Sequence, residues 1–197
     1  MTSLESSMEA VVERLVQLRS IPKYQFERAV EPLLSLFIKE ALQQRFNETM
    51  DFVVAEFPLK KNNNNQSTNA DFLFRSRNGD WILVEIKTER TSVRPEQIEV
   101  YDSRVGVRFR KLWDDLMDIV NATSKKSKYD MLVSELNKHR PHHGVMQALY
   151  ITPHDKSPIE KYSTKVQWCS FVELFGEFRS ERHPDLWRLV SRLVDAI

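Results

Sequence analysis

Three charged residues stand where a buried β-hairpin would place apolar side chains. Within the stretch 69–89, Asp71 opens one apolar run, and Glu85 and Lys87 end the next. Two carboxylates at a strand end form a hard-oxygen site suited to Mg²⁺ or Mn²⁺, and the main-chain carbonyl of Ile86 could be a further ligand. A nearby lysine can orient an attacking water, lower its pKa or steady charge on a phosphate. This is the chemistry of phosphodiester hydrolysis.

A structural interpretation of the same residues stays open. Glu85 and Lys87 could form a plain ion pair at a strand end, and exposed ion pairs contribute little. The strand that carries them is apolar on both faces at its start, which predicts a central, buried position. Burial of a carboxylate and an ammonium is costly unless something compensates. Asp71 is therefore the residue that makes the functional interpretation specific.

The hairpin must have a particular register for the three residues to meet. Alternation puts Glu85 and Lys87 on the face opposite to Ile86. An even-numbered loop centred on Asn78 and Gly79 would pair Asp71 with Ile86 and point it to the wrong face. A loop of three or five residues, or a bulge, would pair Asp71 with Lys87 or Glu85. The metal hypothesis therefore predicts an odd register.

Periodicity predicts a mixed sheet flanked by helices, an α/β arrangement. A long helical crossover before the fourth strand favours its parallel addition. The helix with Pro32 is expected to begin properly near Glu31, and Gly106 interrupts the middle of the third helical stretch. The predicted helices cover residues 4–20, 25–46, 92–124, 129–139 and 184–197; the predicted strands cover 51–61, the hairpin 69–89, 144–153 and 166–174.

Composition indicates a single domain in a reducing setting. The chain has 197 residues, a formal net charge of +1 and one cysteine, Cys169. It therefore lacks an internal disulfide and a cysteine-based zinc site, which predicts a cytoplasmic protein. No apolar run approaches the roughly 20 residues of a membrane helix, so no membrane partner is expected. Near-neutral charge does not exclude nucleases, whose carboxylates offset their basic residues.

Asp71, followed fourteen residues later by Glu85-Ile86-Lys87, resembles the signature of the PD-(D/E)xK, restriction-endonuclease-like nuclease superfamily. Ala70 replaces the proline of that motif. The resemblance implies an αβββαβ core over about residues 25–175 and Mg²⁺ or Mn²⁺ as cofactor. It implies that Asp71, Glu85 and the Ile86 carbonyl hold the metal, and that Lys87 positions or activates the water.

A second element is similar to the Gln-x-x-x-Tyr motif of RecB-like and lambda-exonuclease-like members. Gln97 and Tyr101 lie one helical turn apart, and Gln97 is expected to orient Lys87 or the phosphate. A basic stripe that could follow a phosphate backbone, or could be a solvated helix face, continues from them. The candidate nucleic-acid contacts are Lys60, Lys61, Tyr101, Arg104 and Arg108, with Lys111 on the same stripe.

Many members of the superfamily add a glutamate from the first core helix. Glu31 is the first candidate and Glu27 the second, and a surface role is the alternative for each. The histidines in the "HRPHHG" stretch, residues 139–144, lack a partner motif at ligand spacing and are interpreted as a polar loop.

The resemblance implies a metal-dependent nuclease that acts on DNA. The alternative is a catalytically inactive member that binds nucleic acid or a protein partner; retention of Asp71, Glu85 and Lys87 favours activity. Residues 1–24 are predicted to form an N-terminal helical extension, and residues 25–197 the nuclease-like domain. A homodimer is compatible with duplex cutting, and the N-terminal helix is either a dimer element or packs on its own domain.

Overall fold

The computed structural model describes residues 3–21, 26–61, 67–140 and 142–197. Within these ranges no helix has both the length and the apolar character needed to cross a membrane. The helices are α1 (Ser3–Leu18), α2 (Phe26–Phe46), α3 (Pro95–Asp102), α4 (Phe109–Ala122), α5 (Asp130–Asn137), α6 (Phe171–Phe175) and α7 (Pro184–Ala196). The strands are β1 (Met50–Lys60), β2 (Ser67–Ser76), β3 (Trp81–Ile86), β4 (Met146–Thr152) and β5 (Gln167–Ser170).

The strands form a five-stranded mixed sheet in the order β1-β2-β3-β4-β5. The first three strands are an antiparallel meander, while β4 lies parallel to β3 and β5 lies parallel to β4. The chain between β3 and β4 contains α3, α4 and α5, which is the long crossover that parallel pairing requires. The predicted mixed sheet flanked by helices and the parallel addition of β4 are both confirmed.

Strand β3 is buried on both faces and divides the core in two. Ile82, Val84 and Ile86 pack into one cluster with α2 and α7. Trp81 and Leu83 pack into the other cluster, with α3, α4 and α5. The predicted alternation is therefore correct, and Glu85 belongs to the face of Trp81 and Leu83.

The β2–β3 turn sets the register of the hairpin. Its loop has three residues, 77–79, because the Ser76 N–H donates to the Asp80 carbonyl at 2.8 Å, and Gly79 has φ 91°. Backbone pairing runs from Arg75 with Trp81 to Phe72 with Val84. The next step along the ladder brings Asp71 opposite Glu85, which is the odd register that the metal hypothesis requires.

Helix α2 begins earlier than predicted. It starts at Phe26 and continues through Pro32, so the expectation of a start near Glu31 is wrong. Phe26 and Val30 are buried and anchor the first turns against the core. Pro32 has no N–H to donate to the Arg28 carbonyl one turn earlier. Both residues are exposed, so this carbonyl lies on the solvent side of the helix.

The helical stretch predicted over residues 92–124 is broken into α3 and α4. Gly106 adopts φ 80°, and its N–H donates to the Met146 carbonyl at 2.8 Å. The Met146 N–H in turn donates to the Val107 carbonyl at 2.8 Å. The linker is therefore bound to the start of β4, and α4 departs in a new direction.

The last predicted strand ends halfway. β5 stops at Ser170, and residues 171–174 are helical, contrary to the expectation of a strand over 166–174. Ser170 and Glu173 form a reciprocal capping box, in which each side chain accepts from the other residue's N–H. The cap supplies partners for the first N–H groups of α6, and this stabilises a helix start at Phe171.

Helix α1 packs on its own domain. Val12 is fully buried in the same core cluster as α2 and α7. Arg192 of α7 lies 3.5 Å from Glu9 and 3.5 Å from Glu13. Residues 22–25, where the predicted domain boundary falls, lie outside the described residues. The asparagine-rich stretch 62–69 has the composition of a solvated loop. Its residues 62–66 also lie outside the described residues, and residues 67–69 belong to β2, so the loop prediction is wrong for that part.

Candidate active site

Glu85 lies at the centre of a hydrogen-bonded cluster at the end of β3. The residue is 1% exposed. Its Oε1 accepts from the Lys87 ammonium at 2.5 Å and from Gln97 Nε2 at 2.5 Å. Its Oε2 accepts from the Tyr101 hydroxyl. Gln97 and Tyr101, one turn apart on α3, thus hold both oxygens of one carboxylate, as residues at i and i+4 can.

Asp71 approaches the cluster from β2, where the two strands stop pairing. Its Oδ2 accepts from the Ile86 N–H at 2.6 Å. The described backbone pairing between β2 and β3 ends at Phe72 with Val84, so beyond that point a carboxylate bonds to the β3 backbone. The carboxyl group of Asp71 therefore lies in the gap where the strands separate, next to Glu85.

Lys87 is held as an ammonium. It is 8% exposed, and its Nζ lies 2.5 Å from Glu85 and 3.5 Å from Glu27. Burial opposes its charge, but Glu85, Glu27 and Asp71 together raise the pKa of Lys87 above its usual value. At neutral pH the side chain can therefore donate hydrogen bonds and stabilise negative charge, and it cannot accept a proton.

Two glutamates of α2 border the cluster, and the structure distinguishes them. Glu27, the second candidate, contacts Lys87 and accepts from the Thr88 N–H at 3.4 Å. Glu31, the first candidate, is half-buried and acts through its charge: burial, Glu56, Glu27 and Glu85 raise its pKa. Both glutamates lie near the end of β3, and Glu27 is the one that touches the lysine.

The carboxyl group of Asp71 has a strongly raised pKa. Burial and then the charge of Glu85 raise the pKa of Asp71 to about 8, against the opposing effects of the Ile86 N–H and Lys87. Burial also raises the pKa of Glu85, although Lys87, Tyr101 and Gln97 act to lower it. At neutral pH without a bound cation, Asp71 is therefore largely protonated, and binding of a cation would release that proton.

The pKa of Asp71 makes a prediction for stability. The native state keeps a proton that the unfolded chain, with its usual pKa of 3.8, has lost. The stabilisation is complete below the unfolded pKa and lost as pH rises towards 8. In EDTA at pH 9, Asp71→Asn is expected to exceed the wild type in free energy of unfolding by at least about 1 kcal/mol.

Urea denaturation from pH 5 to pH 9 measures this effect. Asp51→Asn, at an exposed position of β1, is the matched control and is expected to follow the wild-type profile. Parallel pH profiles for Asp71→Asn and the wild type would contradict the assignment. Mg²⁺ is expected to stabilise the wild type and to have little effect on Asp71→Asn.

The described side chains of the site are of a type that binds a hard divalent cation, although they are not grouped as a ready metal site. The carboxylates of Glu27, Glu31, Asp71 and Glu85 share one region in which Lys87 supplies positive charge. The predicted ligands, two carboxylates and one main-chain carbonyl, suit Mg²⁺, which keeps several waters. Within the described ranges, no three His, Cys, Asp or Glu side chains form a group that could hold one metal ion.

Two of the predicted nucleic-acid contacts are structural. Tyr101 is fully buried, and its hydroxyl serves Glu85, so it is not a nucleic-acid contact. Arg104 is 9% exposed; it donates to Asp115 at 3.1 Å and to the Lys60 carbonyl at 2.6 Å. The Arg104 prediction assumed a helix that continues beyond Tyr101, whereas α3 ends at Asp102.

The remaining basic candidates fall in two separate places. Lys60 pairs with Asp118 at 2.9 Å, and Lys111 pairs with Asp115 at 3.1 Å, so these two lysines lie beside the same face of α4. Lys61 follows β1 and is half-buried. Arg108 is exposed at the start of α4, beside Val145 at the far end of the sheet from Glu85. These residues do not form a track that leads to the carboxylates.

Gln97 contacts a different partner from the one predicted. Its amide binds Glu85, so it orients the carboxylate and not Lys87. Tyr150 was missed by the sequence analysis. It lies opposite Glu85 on β4, and its buried hydroxyl has no hydrogen-bond partner within the described part of the chain. Only the long-range register of β3 and β4 places Tyr150 there, so no local sequence signal identified it.

No protein-family model matches the chain, no curated protein matches its sequence, and no solved structure matches its fold. The five-stranded mixed sheet flanked by helices establishes the α/β class. The restriction-endonuclease-like core remains a prediction from the residue pattern. The functional conclusion therefore depends on the geometry of the cluster around Glu85.

Proposed function

We propose that the protein is a metal-dependent nuclease that hydrolyses phosphodiester bonds, with DNA as the expected substrate. The observation that carries the proposal is the convergence on Glu85. Lys87 and Gln97 lie 2.5 Å from its Oε1, and the hairpin register brings Asp71 opposite. These residues come from β2, the end of β3 and α3, so separate elements supply the groups that the resemblance to PD-(D/E)xK nucleases requires.

Each side chain has a defined role in this proposal. Asp71, Glu85 and the Ile86 carbonyl would hold the cation, which supplies an activated water and neutralises charge on the phosphate. Lys87, as an ammonium, donates to the attacking water or to a phosphate oxygen and stabilises the negative charge that develops there. Gln97 and Tyr101 are positioning residues, because they fix both oxygens of Glu85. Glu27 contacts Lys87 and helps to orient it.

One observation favours the inactive alternative. Glu85 is 1% exposed, and its oxygens already accept from Lys87, Gln97 and Tyr101. A carboxylate satisfied in this way can serve purely as a structural ion pair in a module that binds nucleic acid or protein. The alternative predicts that the pair stabilises the fold and that no cation binds.

Cleavage of a mixed substrate panel tests the proposal. The purified protein is incubated with single-stranded and duplex DNA and RNA in Mg²⁺, in Mn²⁺ and in EDTA. We expect cleavage that requires the cation and that falls by at least about a hundredfold in Glu85→Gln, an isosteric change that removes the charge. Absence of cleavage in every condition, or cleavage that Glu85→Gln and EDTA leave unchanged, would contradict the proposal.

A further inference from the structure

A basic groove lies at the end of the sheet opposite to the carboxylates. It has a volume of about 980 Å³ and is lined mainly by Arg108, Arg110, Arg140, His142 and His143. We call this surface the arginine groove. Among the described residues its lining also includes Trp113, Gly144 and Val145, and none of those residues is acidic. The groove therefore presents concentrated positive charge in a chain whose formal net charge is only +1.

Two of the arginines have no counter-charge. Within the described part of the chain, neither Arg108 nor Arg140 forms an ion pair with a carboxylate. The guanidinium carbon of Arg140 lies 5.5 Å from the centre of the Trp113 ring in a cation–π contact, and the residue remains exposed. Arg110 pairs with Asp114 at 3.3 Å, and that pair is itself exposed. Exposed guanidinium groups without partners are suited to bidentate contacts with phosphate.

Burial, together with the positive charge of the groove, lowers the pKa of His142, one of its lining residues. His142 packs against Trp113 with ring centres 4.4 Å apart, and its Nε2 lies 3.1 Å from the Leu136 carbonyl. Burial and the charges of Arg140, Arg110 and Arg75 lower the pKa of His142, against the effect of that carbonyl. The positive potential therefore acts on the groove and is not confined to the arginine tips.

The tryptophan of the groove is occupied by packing. Trp113 is 9% exposed, and its ring centre lies 4.4 Å from that of His142. An accessible ring face is needed for a base to stack. The described lining therefore offers mainly cations for phosphates, which favours contact independent of sequence.

The arginine groove and the carboxylate cluster share one face of the sheet. Phe109 and Trp113 belong to the core cluster of Trp81 and Leu83, the face that carries Glu85. From Trp81 to Lys87 the chain makes six strand steps, about 20 Å at a rise near 3.3 Å per residue. This is the straight distance between the two ends of β3, and α3, α4 and α5 cover the sheet between them, so a nucleic acid that reached both sites would pass over these helices.

We infer that the arginine groove binds the phosphate backbone of a nucleic acid, at the opposite end of the sheet from the carboxylate cluster. The choice of nucleic acid as the ligand rests on the proposed function, whereas the affinity for phosphate follows from the groove itself. Binding there would hold one part of the strand at the groove while another part lies at Glu85 and Lys87.

Equilibrium binding in EDTA tests the inference without any need for cleavage. The probes are labelled 20-nucleotide DNAs of several sequences, both single-stranded and duplex. Binding is measured at salt concentrations from 50 to 200 mM. Arg108→Gln with Arg140→Gln removes the two unpaired charges. Arg14→Gln with Arg182→Gln removes the same charge at exposed sites away from the groove and is the control.

We expect the groove variant to lose about tenfold or more in affinity at 50 mM salt, and the slope of log K against log salt to fall by roughly 2. The control is expected to match the wild type. DNA is also expected to raise the pKa of His142, followed by its ring resonances. Equal losses in both variants, or preferential binding of polyglutamate over DNA, would overturn the inference.

The outcomes separate this inference from the proposed function. Loss of binding in the groove variant with no cleavage by the wild type would reject the nuclease and retain the groove. Metal-dependent cleavage with unchanged binding in the groove variant would retain the nuclease and reject the groove.

Discussion

Replacement of Lys87 by alanine is expected to lower Mg²⁺-dependent cleavage by about a thousandfold. The change removes the ammonium that lies 2.5 Å from Glu85 and that would donate to the water or the phosphate. Loss of one donor aimed at developing charge costs roughly 10²–10³ in rate, and loss of water activation adds to it. Single-turnover cleavage at saturating protein measures the chemical step directly.

The experiment must distinguish a loss of catalysis from a loss of folding. Removal of Lys87 leaves Glu85 buried and without its counter-ion, which in general costs about 3–5 kcal/mol unless the carboxyl is protonated. The double variant Glu85→Gln with Lys87→Gln removes both charges and is expected to fold more stably than Lys87→Ala. Lys39→Ala, which breaks the exposed pair with Asp51 at 3.5 Å, is the control for loss of a lysine.

Circular dichroism and DNA binding in EDTA establish that each variant is folded. If folded Lys87→Ala cuts as fast as the wild type and the Lys39→Ala control, the assignment of Lys87 is wrong. If the double variant retains full activity, the whole cluster is structural. Loss of activity in both variants, with DNA binding intact, supports catalysis.

Gly144→Ala is expected to destabilise the fold by at least about 3 kcal/mol. Gly144 has φ 91°, and a Cβ added to it would lie 2.0 Å from the Gly79 carbonyl oxygen and 2.7 Å from the Gly79 carbonyl carbon. Backbone atoms cannot rotate away as a flexible side chain can, so the β2–β3 turn would have to move. The change therefore acts on the turn that sets the hairpin register.

Gly106→Ala is the matched control for this prediction. Gly106 has φ 80°, but nothing lies within 4 Å of the Cβ that would be added. Its substitution therefore pays only the backbone strain of a positive φ, about 1–2 kcal/mol. Urea unfolding of the two variants isolates the steric clash as the difference between them. Equal losses of stability at the two positions would show that the turn is not packed against Gly144.

The structure explains why a clash at Gly144 reaches the candidate site. The Val145 N–H donates to Asp80 Oδ1 at 2.9 Å, and the Trp81 N–H donates to the Val145 carbonyl at 2.9 Å. The turn is thus attached to the start of β4. Displacement of this attachment would shift the pairing that brings Asp71 opposite Glu85, so Gly144→Ala is also expected to reduce cleavage.

The sequence was most informative where side chains alternate. The apolar pattern of β3 assigned both of its faces correctly, because burial on two sides leaves a period-two record in the residues. The parity of the hairpin could not be obtained in the same way. Asn78 and Gly79 suit either a two-residue or a three-residue loop, so the local sequence does not decide the register. The turn also packs against Gly144, which is more than sixty positions away in the sequence.

The errors in the predicted site arose from extrapolation along a helix. Helical spacing continues through Arg104 and Arg108, and local propensity contains no signal for the pairing of Gly106 with Met146. In the structure α3 ends at Asp102, the linker pairs with the start of β4, Arg104 donates to Asp115 and Arg108 lies at the arginine groove. The start of α6 was also predicted wrongly, as strand, although Ser170 and Glu173 have the spacing of a capping box.

The three-residue turn also restricts which mutations this chain can accept in evolution. Residues 77–79 are partly or fully exposed, and substitutions that keep a positive φ at Gly79 would disturb little of the core. A single inserted or deleted codon there is a different matter. Unless a bulge absorbed it, it would exchange the two faces of β3, sending Glu85 towards α2 and Ile86 towards α3. The loop therefore tolerates substitutions but does not tolerate a change in its length.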